Sequence, residues 1–309
     1  MSNGVKVSII GAGHVGSALA FKLIEEQLSE VVLLDKNDQL AAGKTLDLQD
    51  AASIIGSKSS IYHADSYKQI KDSKVVVVTA GFPRKPGMDR EDLLLKNAQI
   101  IKEVSSNLKR YVPDAIVIMV TNPLDVMTYV CKTANNYKRE QVVGMAGILD
   151  SARLKVVLAK MLNVGLEEIE TIVLGAHGDS MVALESQTYI KNKPWTEFID
   201  ENKLKEAFNY AKKEGSKIVS LLQGGSAYFA PALSIYKMID NILNNKKELI
   251  SASCYLDGEY GLKDVCVGVP VRLGSQGVEK IVELDLTNDE LSKLHQAANL
   301  IKSNNRKIV

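Results

Sequence analysis

The sequence predicts an α/β protein whose first half is a doubly wound parallel sheet. Three observations predict it. Short apolar runs, each too brief for a helix, alternate with longer segments of helical periodicity up to about residue 120. These runs are apolar throughout, as strands covered on both faces are. The string Gly11-Ala12-Gly13-His14-Val15-Gly16 stands between the first run and the first helical stripe, where a tight strand-to-helix turn needs glycine.

Residues 5–10 form a β-rich run that ends at Gly11, and residues 14–28 carry a helical stripe through Val15, Leu19, Leu23 and Ile24. A second buried strand spans 31–34 and a second helix 39–52. Strands at 75–79 and 116–120 flank a helix over about 91–110. The pattern then changes. A helix is expected over 151–162, strands over 169–174 and 181–187 on either side of His177, and helices over 200–222 and 226–243. Further strands are expected near 249–256, 265–272 and 278–284. Thr287-Asn288-Asp289-Glu290 reads as a capping box opening a terminal helix. The change of pattern puts a domain boundary near Gly144, dividing the chain into 1–144 and 145–309.

Composition narrows the function classes. The chain has 309 residues and a net charge of +1, with no long run of like charge, which argues against a nucleic-acid groove or a polybasic membrane patch. No apolar stretch approaches the roughly 20 residues a membrane helix needs. The first strand begins within a few residues of Met1, leaving no room for a leader. Cys131, Cys254 and Cys266 form no CxxC pair and have no histidines at metal spacing. They read as buried thiols of a cytoplasmic protein, and no metal site is expected.

The glycine string has the context of a dinucleotide fingerprint. Its glycines permit a tight turn and close backbone approach to a pyrophosphate, which then sits on a helix N-terminus. Asp35 ends the next strand, 19 residues after Gly16. A carboxylate there accepts hydrogen bonds from a ribose diol and repels a 2′-phosphate, favouring NAD over NADP, although Lys36 beside it blunts the preference. Gly43-Lys44-Thr45 resembles the end of a phosphate-binding loop but lacks the loop's first glycine and lies in a helix interior.

The reactive candidates lie further along. Residues 81–90 follow a strand, contain glycines and prolines, and hold Arg84 and Arg90, two of only seven arginines against 31 lysines. The segment reads either as a solvated loop or as a lid closing on an anion, and the planar fork of arginine favours the lid. Thr121-Asn122-Pro123 ends the next strand. There an asparagine can reach both a nicotinamide and a substrate, and a cis Asn122-Pro123 bond is open to the chain. His177 stands between Ala176 and Gly178 in Gly175-Ala176-His177-Gly178-Asp179. It can carry a proton if a carboxylate orients it, with Asp150 and Asp179 both candidates. Arg153, three residues after Asp150, can hold a substrate carboxylate. His63 and His295 have no motif around them. This equipment suits hydride transfer on a small hydroxy acid.

With these residues in view, the chain resembles the lactate/malate dehydrogenase family over essentially its whole length, since the motifs occur in family order at family spacing. The resemblance implies an NAD-binding Rossmann domain followed by an α+β catalytic domain. It implies His177 as proton donor and acceptor, Asp150 as its orienting carboxylate, Arg153 as anchor of the C1 carboxylate and Arg90 as the lid arginine polarising the reacting carbonyl. Asn122 falls near the substrate oxygen and nicotinamide, and Asn97, Val120 and Thr121 join the glycine string as cofactor contacts. Arg84 matches the specificity position, where lactate enzymes usually carry glutamine and malate enzymes arginine. A charge-assisted bond from Arg84 to a second carboxylate is worth roughly 1.5–3 kcal/mol, and beside the methyl of pyruvate the same charge is left unmatched. Ser226-Ala227, where lactate enzymes have a threonine at the pocket wall, leans the same way. The expectation is reversible NAD-dependent oxidation of (S)-malate to oxaloacetate within the tricarboxylic acid cycle, by a homodimer or homotetramer. The alternatives are an L-lactate dehydrogenase and a catalytically silent NAD-binding protein.

Overall fold

The structure is a computed structural model that describes residues 4–82, 90–223 and 225–308. The first half runs β1 (Lys6–Ile10), α1 (His14–Glu25), β2 (Glu30–Leu34), α2 (Asp38–Ile54), β3 (Ile61–Ala64), β4 (Ser73–Val78), α3 (Arg90–Tyr111), β5 (Ile116–Met119), α4 (Leu124–Ala134) and β6 (Val142–Gly144). The second half continues with α5 (Gly147–Leu162), β7 (Ile169–Glu170), β8 (Val173–Gly175), β9 (Met181–Ala183), β10 (Tyr189–Ile190), β11 (Lys193–Pro194), α6 (Glu201–Leu222) and α7 (Phe229–Leu243). It ends with β12 (Leu249–Asp257), β13 (Lys263–Gly274), β14 (Gly277–Ile281) and α8 (Asn288–Asn305).

Strands β1 to β6 pair in parallel in the order 3-2-1-4-5-6. That is the doubly wound dinucleotide-binding order, with its ligand crevice at the carboxyl ends where the order reverses between β1 and β4. The strands are buried because helices cover both faces: Val7, Ile9, Val31, Leu33, Val75 to Val78 and Val117 to Met119 are all fully enclosed. The same sheet continues into the second half. β12 joins β6 antiparallel with Ser253 opposite Gly144, and β13, β8 and β9 follow, each antiparallel to its neighbour, while β14 pairs with β13. At the seam a side chain on Gly144 would run into Ser253 and Thr128, so this position of the join needs glycine. A separate small sheet orders β11-β10-β7.

The doubly wound first half and the mixed helices and strands of the second are as expected, and five elements escape the sequence patterns: β3, β6, α4 and the two-residue strands β10 and β11. β3 and β6 are too short and too mixed to announce themselves, and α4 begins directly after Pro123, whose turn signal masks it. Two expected strands are corrected. Residues 169–174 are two strands in different sheets, because Thr171 and Ile172 carry the chain from one sheet to the other. The strand expected over 181–187 stops at Ala183, and Glu185–Gln187 form a 3-10 turn. There Ser186 donates from its N–H and its hydroxyl to the buried Glu290 at 3.0 and 2.8 Å. Glu290 is also the N3 residue of the expected capping box on α8, accepting the Thr287 N–H while Thr287 Oγ1 accepts its own.

Two further boundaries matter for the site. Helix α5 starts at Gly147 rather than 151, so Asp150 sits in its first turn and Arg153 one turn on. Gly43, Lys44 and Thr45 lie inside α2. The three cysteines are free and buried, and burial pushes the Cys131 thiol up to about 12. Among the described residues no helix is long and apolar enough to cross a membrane.

Candidate active site

The nucleotide end is made of backbone. β1 stops at Ile10, and the chain turns through Gly11, whose N–H donates to Leu34 O at 2.7 Å, into α1. Gly13 is the N-cap of α1 and offers no capping side chain, and the first turn carries no acidic residue. The first N–H groups of α1 are therefore left for an anion. A side chain on Gly13 would project into open space, whereas one on Gly16 would collide with the Gly11 carbonyl. The loop is thus open outward and closed inward, the shape a pyrophosphate requires.

Asp35 directly follows β2. Its Oδ2 accepts the Ala12 N–H at 2.7 Å and its Oδ1 the Asn37 N–H at 2.8 Å. The carboxylate is thereby tied to the glycine loop and keeps lone pairs for a diol. These observations fit a bound dinucleotide. The His14 ring packs against Tyr228 from the second half, with centroids 5.2 Å apart.

Beyond the loop, the carboxyl ends of β4 and β5 are knitted together. Thr121 Oγ1 donates to Ala80 O at 2.6 Å, and the Val120 N–H donates to Val78 O at 2.9 Å. Asn97 is buried; its Oδ1 accepts the Phe82 N–H and its Nδ2 donates to Asn122 O, both at 2.7 Å. The Asn97 amide, expected from the resemblance to face cofactor, is engaged with the backbone of both loops. The Asn122-Pro123 bond is cis and the Asn122 side chain is exposed. Arg84 lies outside the described residues, and Arg90 begins α3 but its side chain lies outside them too.

The chemical end is made of side chains. Asp150, only 2% exposed, accepts from His177 Nδ1 at 2.8 Å through Oδ2 and faces Arg153 Nη1 at 3.4 Å through Oδ1. Of the two carboxylates offered by the sequence as partner for the ring, Asp150 is the one bonded to Nδ1. With Nδ1 facing a carboxylate, neutral His177 carries its proton there and keeps a lone pair on Nε2. Burial opposes the charged ring, but the Asp150 carboxylate, with Asp125 behind it, outweighs burial and the nearby Arg153, and the His177 pKa lies above its ordinary value. Arg153 is steered from its other side by α6, where Gly215 lies so close that a Cβ there would stand 3.3 Å from Nη1.

Two residues of this cluster were not singled out in the sequence. Asp125, in the first turn of α4 and 5% exposed, accepts the His177 backbone N–H at 2.9 Å through Oδ2 and the Ser253 hydroxyl at 2.7 Å through Oδ1. An aspartate at a helix start is ordinary capping chemistry, so nothing local signals that this one reaches across 52 residues. His63 and His295 have partners outside this cluster: Asp38 at 2.5 Å and the Tyr260 carbonyl at 2.8 Å.

Comparison with known proteins gives the family. Residues 5–144 match the family model described as "lactate/malate dehydrogenase, NAD binding domain", and residues 148–309 match "lactate/malate dehydrogenase, alpha/beta C-terminal domain". The chain is 43% identical over 303 residues to a malate dehydrogenase of Staphylococcus epidermidis, covering 97% of each. It superposes on the crystal structure of Cryptosporidium parvum malate dehydrogenase with a TM-score of 0.95 at 37% identity, covering 99% of both chains. It superposes equally, at 34% identity and with 100% of this chain and 99% of the other covered, on the lactate dehydrogenase of the same organism complexed with lactic acid and nicotinamide adenine dinucleotide, TM-score 0.95.

Proposed function

The chain belongs to the lactate/malate dehydrogenase family, and from that premise we propose that it is an NAD-dependent malate dehydrogenase, interconverting (S)-malate and oxaloacetate. The observation that carries the reading is the His177 ring bonded to the buried Asp150, with Arg153 beside them. It unites a proton carrier and a carboxylate anchor in one place.

Residues 11–16 and Asp35 hold the cofactor, with Val120, Thr121 and Asn122 at its nicotinamide end and Asn97 bracing the loops there. Bound NAD supplies the hydride acceptor. The chain's residues supply the rest. The Arg153 fork pairs with the C1 carboxylate and Arg84 with the second one. Arg90 and Asn122 reach the reacting oxygen. In oxidation, Nε2 of neutral His177 takes the hydroxyl proton, and Asp150 stabilises the imidazolium that forms. In reduction the imidazolium returns that proton to the carbonyl oxygen. Because the neutral ring is needed one way and the charged ring the other, malate oxidation falls as pH drops through the His177 pKa, and oxaloacetate reduction falls as pH rises through it.

The same proposal includes a cytoplasmic setting and a homodimer or homotetramer. The exposed apolar side chains of Ile54, Leu46, Leu221 and Phe229 support self-association. It also takes the division near Gly144 as that between cofactor-binding and substrate-binding parts.

Initial rates with NADH test it, comparing kcat/KM for oxaloacetate and pyruvate in the parent and in Arg84→Gln. The parent should prefer oxaloacetate strongly, and the variant should lose about ten- to a hundredfold of that preference. A parent that prefers pyruvate would make the chain a lactate dehydrogenase, and inactivity on both would make it a silent NAD-binding protein.

A further inference from the structure

We propose that Asp125 is a positioning residue of the proton relay, holding His177 by its backbone while Asp150 holds it by its ring, and presenting a second buried carboxylate to the charge the ring acquires. The inference rests on the acid–base role given to His177 above. It starts from the loop. Gly175, two residues before His177, has φ +82°, and Gly178, just after it, has φ +108°. Both lie where side chains rarely go and where glycine is conformationally free. A histidine between such residues is not held by its own backbone preferences. The hydrogen bond from its N–H to Asp125 Oδ2, at 2.9 Å, supplies the missing restraint.

That restraint alone does not call for a charge. An asparagine at 125 would offer a carbonyl to the His177 N–H and an amide to the Ser253 oxygen. Burying a carboxylate at 5% exposure instead is costly unless something nearby uses its charge. The charged group in reach is the His177 ring. Among the described residues, the charged and titratable groups that act on Asp125 and the His177 ring include Asp150 and Arg153 from α5 and the Cys266 thiol from β13, which burial keeps neutral. Ser253 from β12 adds only a neutral donor. Burial raises the Asp125 pKa, while the Ser253 hydroxyl and the His177 N–H work the other way by bonding its charged form. With His177 neutral, two carboxylates face one guanidinium. With His177 protonated, the four groups balance. The arrangement therefore favours proton uptake at His177 more than Asp150 alone would.

The test is a pair of variants in the full chain. The protein has four histidines, so histidine labelled with 13C at Cε1 gives countable resonances, and His177→Asn identifies the one of interest. In Asp125→Asn, which keeps both hydrogen-bonding positions, the His177 midpoint should drop by about half a unit to one unit. The alkaline limb of oxaloacetate reduction should move down by the same amount. At acid pH, where the ring is protonated anyway, kcat should return to within about twofold of the parent. In Asp125→Ala, kcat should fall at least about tenfold with the Kd for NADH unchanged, since the backbone restraint is gone as well. An unmoved midpoint in Asp125→Asn, or a loss of kcat equal at every pH, would overturn the proposal. The resonance titration reads Asp125 without turnover. A parent that lacks the alkaline limb altogether would instead count against the acid–base role of His177.

Discussion

The two ends of the site are built differently. The nucleotide end is backbone. Its anion site is a run of N–H groups, its shape is set by glycines, and its one charged residue, Asp35, is tied back to the loop through Ala12. The glycine loop and Asp35 lie within 25 consecutive residues, 11–35. The chemical end is a network of side chains from distant segments: Asp125 from α4, which also holds the His177 backbone N–H, Asp150 and Arg153 from α5, His177 after β8 and Ser253 from β12. The backbone site is set first by volume, since an added side chain at Gly16 fills it, whereas a network of buried charged groups is set first by whether every charge keeps its partner.

The contrast can be broken most severely at His177. Replacement by asparagine should cost about 10²–10⁴ in kcat in both directions and remove the opposed pH limbs, with NADH binding retained in a fluorescence titration. Near-normal turnover would mean that the proton is carried elsewhere. Gly16→Ala probes the other end and should act through volume. Alanine is otherwise the better helix residue, by about 1 kcal/mol, but here its methyl meets the Gly11 carbonyl. The clash should win, destabilising by about 1–3 kcal/mol in thermal unfolding and weakening NADH binding. If the Kd for NADH is unchanged, the loop does not carry the pyrophosphate.

The smallest effect is expected at Gly215, where volume meets charge. Gly215→Ala puts a methyl 3.3 Å from Arg153 Nη1, so it should raise the KM for oxaloacetate about two- to fivefold and leave kcat alone. A fall in kcat with KM unchanged would show that Arg153 acts on the reacting atoms rather than as an anchor.

The same contrast explains what could be read from the residues. The nucleotide end was legible because its physics is local: a strand, a glycine turn and a carboxylate after the next strand sit within one stretch of chain. Asp150 and Arg153 were legible as a pair, since three residues apart on α5 places them on one face. The choice of Asp150 over Asp179 came from the family resemblance and not from the residues themselves, because 27 residues of intervening chain decide which carboxylate the ring meets. Asp125 was invisible for the same reason. Its partners come from the loop after β8 and from β12, and no periodicity records a meeting of three distant segments. Likewise the break between β7 and β8 follows from which sheet each strand joins, a tertiary choice that overrides an apolar run.

Gly144 and Ser253 face each other where the parallel and antiparallel strands meet, and this has a bearing on dissection of the chain. The sequence divides cleanly at that point; the sheet does not. A fragment beginning at residue 145 would keep the nine-residue β12, most of it buried in the intact protein, but without β6 and α4 to cover it. A long apolar strand with a bare edge recruits other strands. Such a fragment is expected to precipitate or pair with itself rather than survive as an independent half, and Ser253 would meet another chain in place of Asp125.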